Sequence, residues 1–391
     1  MSRRAANPWF ILAFAVAAQF GVSVVDQGLP VLTGFIKTDL GLSAALTGLA
    51  VSSLAFGKIF GSYAAGVAAD RLGERRVIVA GGVAVGALAA CAAAVPGSLV
   101  FVLLFCAGLA GATSTPAGGR LVLLAFPRNR RGLALSIRQC GIPAGALAAA
   151  ALLPWIAHSW GWRSALAVGG GITIVTMLPL ASSPVERSYE VDARSSERLG
   201  HPARDRNIRL LTMWACLVVT GQYAILAFLP LDLHRRAGLS LTSASLLVAL
   251  ANATGILGRV VWGTVSDRAL SRGRKPLLVL LNVAGLLAAV ALFVTPSSAS
   301  VLVFAAVAAF AGFALIGYQG LWITLVAETA GPRRVGAATG FAVTFVQTAI
   351  AVTPPLYGLV ADVSHTYRAI WAVLACVLAL ALVPALLVRE E

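Results

Sequence analysis

The chain has 391 residues, 59% of them hydrophobic and 12% charged, with mean hydropathy +0.88 and a formal net charge of +15. A soluble domain carries about 25% charged residues, so this composition excludes a soluble fold and turns apolar surface toward lipid. The basic excess is split among short segments between apolar runs, which excludes a nucleic-acid-binding face; it reads as topology and as attraction to anionic headgroups of the membrane lipid.

Twelve apolar stretches are long enough to cross a bilayer as helices: 9–35, 44–69, 77–95, 98–126, 131–157, 162–183, 208–231, 241–266, 276–295, 299–327, 334–360 and 367–388. The expected fold class is therefore all-α integral membrane. Several stretches exceed a perpendicular span, so tilts or kinks are expected. Arg3 and Arg4 precede a first run too long for a signal-peptide core, so this span reads as its own insertion signal. The long polar stretch 184–207 mixes Glu186, Glu190, Asp192, Glu197 and Asp205 with several Arg residues. It reads as a cytoplasmic linker dividing an N-terminal six-helix half, 1–183, from a C-terminal one, 208–391.

With Met1 placed in the cytoplasm, the inward-facing loops and termini hold 21 of the basic residues, Arg71, Arg75, Arg76, Arg268 and Arg274 among them. The opposite side holds Lys37, Arg163, Arg235, Arg236 and Arg368. The positive-inside rule then sets both termini in the cytoplasm, in a bacterial-type inner membrane. Cys91, Cys106, Cys140, Cys216 and Cys376 fall one per span without metal-ligand or redox spacing, and read as small buried apolar residues. His158, His201, His234 and His365 all fall in predicted loops, which argues against a buried histidine proton relay. With no phosphate loop, metal cluster or catalytic triad in the sequence, no cofactor, metal or enzymatic step is expected.

The most informative segment joins the second and third spans: Gly66-Val67-Ala68-Ala69-Asp70-Arg71-Leu72-Gly73-Glu74-Arg75-Arg76. A degraded copy, Gly263-Thr264-Val265-Ser266-Asp267-Arg268 with Arg272, Arg274 and Lys275, follows the eighth span. Other echoes join the halves: Trp160-Gly161-Trp162-Arg163 with His365-Thr366-Tyr367-Arg368, and Arg130-Arg131-Gly132 with Arg333-Arg334-Val335-Gly336. The segment resembles the loop between helices two and three in the major facilitator superfamily of secondary transporters, and the resemblance covers the whole chain. It implies two pseudo-symmetric six-helix bundles around a central cavity, with a midplane site where they meet. It also implies a gating role for Gly66, Asp70, Arg71 and Arg75, mirrored by Asp267 and Arg268, in which the loop aspartate meets cationic groups and helix ends and latches one state. Glu74 departs from the family, where a basic residue is frequent, and is expected to weaken or rewire that latch.

Ionisable residues inside spans cost roughly 2.5–3.5 kcal/mol each on insertion scales and are functional candidates by default. Asp26, Lys58, Arg120, Arg138 and Arg259 are such residues, four cations against one acid. A negatively charged cargo would balance that surplus. Asp26 lies about 13 Å from the outer end of its span, on a polar stripe with Gln19, Ser23, Pro30 and Thr33, and suits either proton coupling or a salt bridge to Lys58 or Arg138. Lys58, about 18 Å from the cytoplasmic end, suits substrate contact or pairing with Asp26. Arg138 lies with Gly141 and Pro143 in a stretch that loosely resembles both an antiporter signature and anion carriers of this superfamily. Arg120 suits substrate or inner headgroups. Arg259, with Asn252 on the same face, resembles the eighth-helix arginine of monocarboxylate and oxalate carriers, which contacts a carboxylate; guanidinium donors match a carboxylate bidentately. Gln222, Tyr223, Tyr318, Gln319, Trp322, Thr344 and Gln347 offer polar contacts in the second half.

The expectation that follows is a proton-coupled carrier of a small organic anion, with Lys58, Arg138, Arg259, Asn252, Gln319, Trp322 and Gln347 toward substrate and Asp26 for the proton. The alternative is a proton-antiport exporter of drugs or metabolites; a transporter-like fold kept as a sensor is a third reading. The implied fold needs no partner chain to form its pathway, so a monomer is expected.

Overall fold

The computed structural model describes residues 7–41, 44–95, 99–183, 201–268 and 273–389. Most of the expected linker, residues 184–200, lies outside them, as do Arg3, Arg4 and Arg272. The described residues form helices α1 (Pro8–Leu40), α2 (Ala44–Leu72), α3 (Glu74–Ala94), α4 (Leu99–Gly111), α5 (Ser114–Ala125), α6 (Arg131–Gln139) and α7 (Gly141–Ser182), and in the second half α8 (Arg206–Ala237), α9 (Leu241–Arg268), α10 (Lys275–Val294), α11 (Val301–Leu315), α12 (Gln319–Ala330), α13 (Val335–Ser364) and α14 (Arg368–Leu387). Among the described residues, ten helical stretches are long and apolar enough to cross a membrane. One of them, Arg128–Ser182, holds the predicted fifth and sixth spans, so with α2 the roughly twelve expected spans are accounted for.

Local chemistry explains the ends. Asn7 accepts from the Trp9 N–H at 3.0 Å and Pro8 presets the first turn of α1, which closes at Gly41 in the left-handed region, φ 59°. The opening helix of the second half repeats this. Asp205 accepts from the Asn207 and Ile208 N–H groups at 3.0 and 3.3 Å, and Gly238 closes α8 at φ 67°. At Gly161, φ 81° and ψ 158° turn the chain between the parts of α7 that correspond to the fifth and sixth spans.

Three spans are interrupted rather than continuous; the fifth span breaks between α6 and α7 at Cys140. The fourth breaks between α4 and α5 at Ala112–Thr113, and the tenth breaks between α11 and α12 at Ile316–Tyr318. Breaks free backbone carbonyls inside the bundle, where cationic donors reach them.

The structure groups into two compact units, one of Met1–Arg128, Ile137–Pro202 and Val326–Gln347, the other of Asn129–Ser136, Ala203–Leu325 and Thr348–Glu391. In the first, α1 packs along α7, α3 along α7 and α2 along α4; Val24, Leu29, Leu32 and Ile36 bury against Leu153, Ile156 and Trp162. In the second, α9 packs along α11, and α14 along α10 and α8. Large apolar side chains such as Phe60, Leu147 and Leu302 are exposed, as lipid-facing residues are. The cysteines depart from expectation: Cys91 and Cys376 are exposed and the other three only partly buried, because their faces of the helices point outward. His158 and His234 lie on helices, not loops, yet both are exposed.

Candidate functional site

Two carboxylates sit at matching places and grip matching helix starts. Asp70, near the end of α2, is buried; its Oδ1 accepts from the Gly336 N–H at 2.9 Å and its Oδ2 from the Ala337 N–H at 2.7 Å, in the first turn of α13. Unsatisfied N–H groups and the positive end of the helix dipole make that turn a natural carboxylate site. Gly66 lies one turn before Asp70, and a Cβ there would overlap the Gly336 carbonyl oxygen, so the approach requires a bare backbone. In the other unit, Asp267 accepts from the Gly132 and Leu133 N–H groups, each at 2.8 Å, in the first turn of α6. There a Cβ on Gly263 would lie 2.6 Å from the Gly132 carbonyl oxygen.

The cations around the two differ from expectation. Beside Asp70 stands Arg120, with Nε 3.1 Å from Oδ1, and Arg120 Nη1 also donates to Glu74 Oε2. Arg120 and Glu74 are both buried. Arg120 therefore binds neither headgroups nor solvent, and Glu74 is wired into the cluster as a second acceptor. Beside Asp267 stands Arg274, which pairs with Asp267 Oδ1 at 3.2 Å and donates to Ser266 Oγ. Arg75 donates to the carbonyls of Leu180, at 3.0 Å, and Ala181, tying down the end of α7. Arg71 and Arg268 are exposed.

Deeper in the first unit, Lys58 Nζ pairs with Asp26 Oδ2 at 2.5 Å, both partly buried, and the Gln27 amide donates to the same oxygen at 3.1 Å. Of the partners left open by the sequence, Asp26 takes Lys58. Arg138 is different. It is 1% exposed, and its three hydrogen bonds run to neutral acceptors: Nη2 to Gln19 Oε1 at 2.6 Å and to the Ser114 carbonyl, Nη1 to Gln139 Oε1 at 3.4 Å. Ser114 Oγ donates to the same Gln19 oxygen at 2.9 Å. Arg138 Nε has no acceptor, and no described carboxylate pairs with this guanidinium.

In the second unit, the buried Arg259 donates from Nε to the Ile316 carbonyl at 3.3 Å, at the break between α11 and α12. Buried arginines thus meet carbonyls at two of the interruptions, Arg138 that of Ser114, the first residue of α5, and Arg259 that of Ile316. Gln319 Nε2 donates to Gln222 Oε1 at 3.1 Å, while Gln319 Oε1 has no donor. Trp322 is committed to an interhelical bond, Nε1 to the Leu211 carbonyl at 3.1 Å, and Asn252 bonds within its own helix to the Val248 carbonyl at 3.1 Å. Gln347 is partly buried. A buried group that sequence reading missed is Asp232, which pairs with Arg236 at 2.8 Å and accepts from Trp371 Nε1 at 2.8 Å. The predicted span stopped one residue short of it, although the Asp-x-x-x-Arg spacing of a helical ion pair was visible.

Apolar helices that cross the bilayer, interrupted spans and charges turned into the bundle define a multi-pass membrane transporter, not an enzyme. The chain belongs to the Major Facilitator Superfamily, whose family model matches residues 9–354 and 273–391. It is 29% identical to an uncharacterized MFS-type transporter of Mycobacterium tuberculosis over 97% of this chain and 85% of that one. It is 25% identical to the probable galactarate/D-glucarate transporter GudP of Bacillus subtilis, over 92% and 87%. The crystal structure of the transporter FucP in the outward conformation matches the fold with TM-score 0.75 at 16% identity, covering 97% of this chain and 99% of that one.

Proposed function

We propose that this protein carries a small organic anion, a carboxylate, across a bacterial-type inner membrane by proton-coupled alternating access of the halves 1–183 and 208–391. Both termini would lie in the cytoplasm, and the carrier would act as a monomer. The observation that carries the reading is the buried Arg138 guanidinium, held, among the described residues, by neutral acceptors alone. Removing a cation from water without a counter-charge costs several kcal/mol, which an arriving anion offsets. The likeness to a galactarate/D-glucarate transporter supports a carboxylate, since both of those compounds are carboxylates. On the sequence reading, Arg259, Asn252, Gln319 and Gln347 also serve carriage, while Trp322 supports the helices.

The Asp26–Lys58 pair supports the proposed coupling. While Asp26 is ionised, it neutralises Lys58. A proton taken up by the Asp26 carboxylate breaks the pair, and the freed ammonium becomes available to the substrate carboxylate. Release reverses both steps. Asp70 and Asp267, holding their helix starts, would steady one conformation against the other.

Uptake of labelled D-glucarate, galactarate and other small carboxylates into proteoliposomes, with and without an imposed pH gradient, tests this. The expected result is gradient-driven uptake, lost at least about ten-fold in Arg138→Gln, with Asp26→Asn retaining exchange but not accumulation. Uptake indifferent to the gradient, or intact in Arg138→Gln, overturns the reading.

A further inference from the structure

Arg138 can lie where it does only because residue 118 has no side chain. Gly118 is buried on α5, and a Cβ there would overlap Nη2, Cζ and Nε of Arg138 at once. The guanidinium is thus laid against bare helix backbone. Nη2 donates to Gln19 Oε1 and the Ser114 carbonyl and Nη1 to Gln139 Oε1, which pins the group where it lies. A guanidinium has five N–H donors in a fixed plane, so moving it off Gly118 breaks these bonds, two of which leave from the same Nη2 that lies against Gly118. Gly118 lies inside a helix with ordinary helical backbone, so no turn or left-handed conformation accounts for glycine at this place. In a helix interior glycine is disfavoured relative to alanine.

We propose that Gly118 is a positioning residue for anion carriage: its missing side chain seats the Arg138 guanidinium on the break of the fourth span, where the anion meets it. The inference rests on the carboxylate-carrier reading. It makes the identity of residue 118 a determinant of substrate affinity, although residue 118 itself donates nothing to the substrate.

The test combines a stability cycle with transport. Gly118→Ala, Arg138→Ala and the double variant are purified and melted, with Gly171→Ala as control, since a Cβ at 171 meets nothing within 4 Å. Gly118→Ala is expected to lower Tm while Arg138 is present and to be neutral or stabilising in Arg138→Ala, where only helix propensity remains. In liposomes, Gly118→Ala is expected to raise the KM for a carried carboxylate about ten-fold or more, as a misplaced group does, with Vmax changed less. Arg138→Lys in the Gly118→Ala background should recover part of the affinity, because an ammonium lacks the atoms that collide. An equal Tm loss in both Arg138 backgrounds, or an unchanged KM in Gly118→Ala, overturns the proposal. If Arg138→Gln impairs carriage and Gly118→Ala does not, only this inference falls. If Arg138→Gln is harmless, or no carboxylate is carried, the parent reading falls with it.

Discussion

The clusters at Asp70 and Asp267 share a plan and differ in charge. Both carboxylates take two backbone N–H groups at a helix start, and both rest on a glycine one turn earlier. Around Asp70, one arginine serves two carboxylates, Asp70 and Glu74; around Asp267, one arginine serves a carboxylate and the Ser266 hydroxyl. The shared part is backbone geometry, which the repeated loop motif encodes. The part that differs is the acid count, and it makes the first cluster depend on its cation far more than the second.

That dependence can be broken most severely at Arg120. Arg120→Gln strands two buried carboxylates beside each other, and a loss of about 3–5 kcal/mol is expected, read as a lowered Tm of the purified protein. Adding Glu74→Gln to that variant should recover much of the loss; no recovery would mean that Glu74 is not a partner. Arg274→Gln strands only one carboxylate, still held by two N–H groups, and should cost less, about 1.5–3 kcal/mol. If the two arginine variants melt alike, the asymmetry drawn here is wrong. Gly66→Ala and Gly263→Ala test the shared part, each expected to cost about 1–3 kcal/mol through forced separation of helices. Gly66→Ala should be the worse, because its Cβ would lie closer to the Gly336 carbonyl oxygen than the 2.6 Å that separates a Cβ on Gly263 from the Gly132 carbonyl oxygen. The smallest effect belongs to Glu74→Gln, which keeps a hydrogen-bond acceptor for Arg120 while giving the first cluster the charge of the second. A change within about 1 kcal/mol is expected, and a larger one would show that Glu74 carries more than a shared hydrogen bond.

Much of the fold was legible because lipid imposes a simple rule: runs of apolar residues at least as long as the bilayer is thick. The breaks at Ala112–Thr113 and Ile316–Tyr318 were not, since no proline or charge marks either of them at its centre. In the candidate site, depth alone flagged Lys58, Arg138 and Arg259, but depth cannot name a partner. Arg120 illustrates this. It looked available to substrate or headgroups until the fold brought Asp70 and Glu74 to it from the segment between the second and third spans. Arg274 was counted only as loop charge, yet it is 1% exposed. Glu74 read as a defect in the motif because its acceptor role depends on an arginine 46 residues further on. Gly118 gave no signal at all: one more small residue in a glycine-rich span, it acquires meaning only when the Arg138 side chain is placed against it.

The two helix-start carboxylates are near copies in space but not in the order of their making. Asp267 follows Gly132 by 135 positions, so when it leaves the ribosome its N–H donors already exist. Asp70 precedes Gly336 by 266 positions and must wait for most of the remaining chain to be synthesised before its donors appear. Through that interval Arg120, made soon after Asp70, is the cation at hand to shelter it. The extra acid in the first cluster thus sits where a nascent chain has the longest time to spend with its arginine and without its helix start.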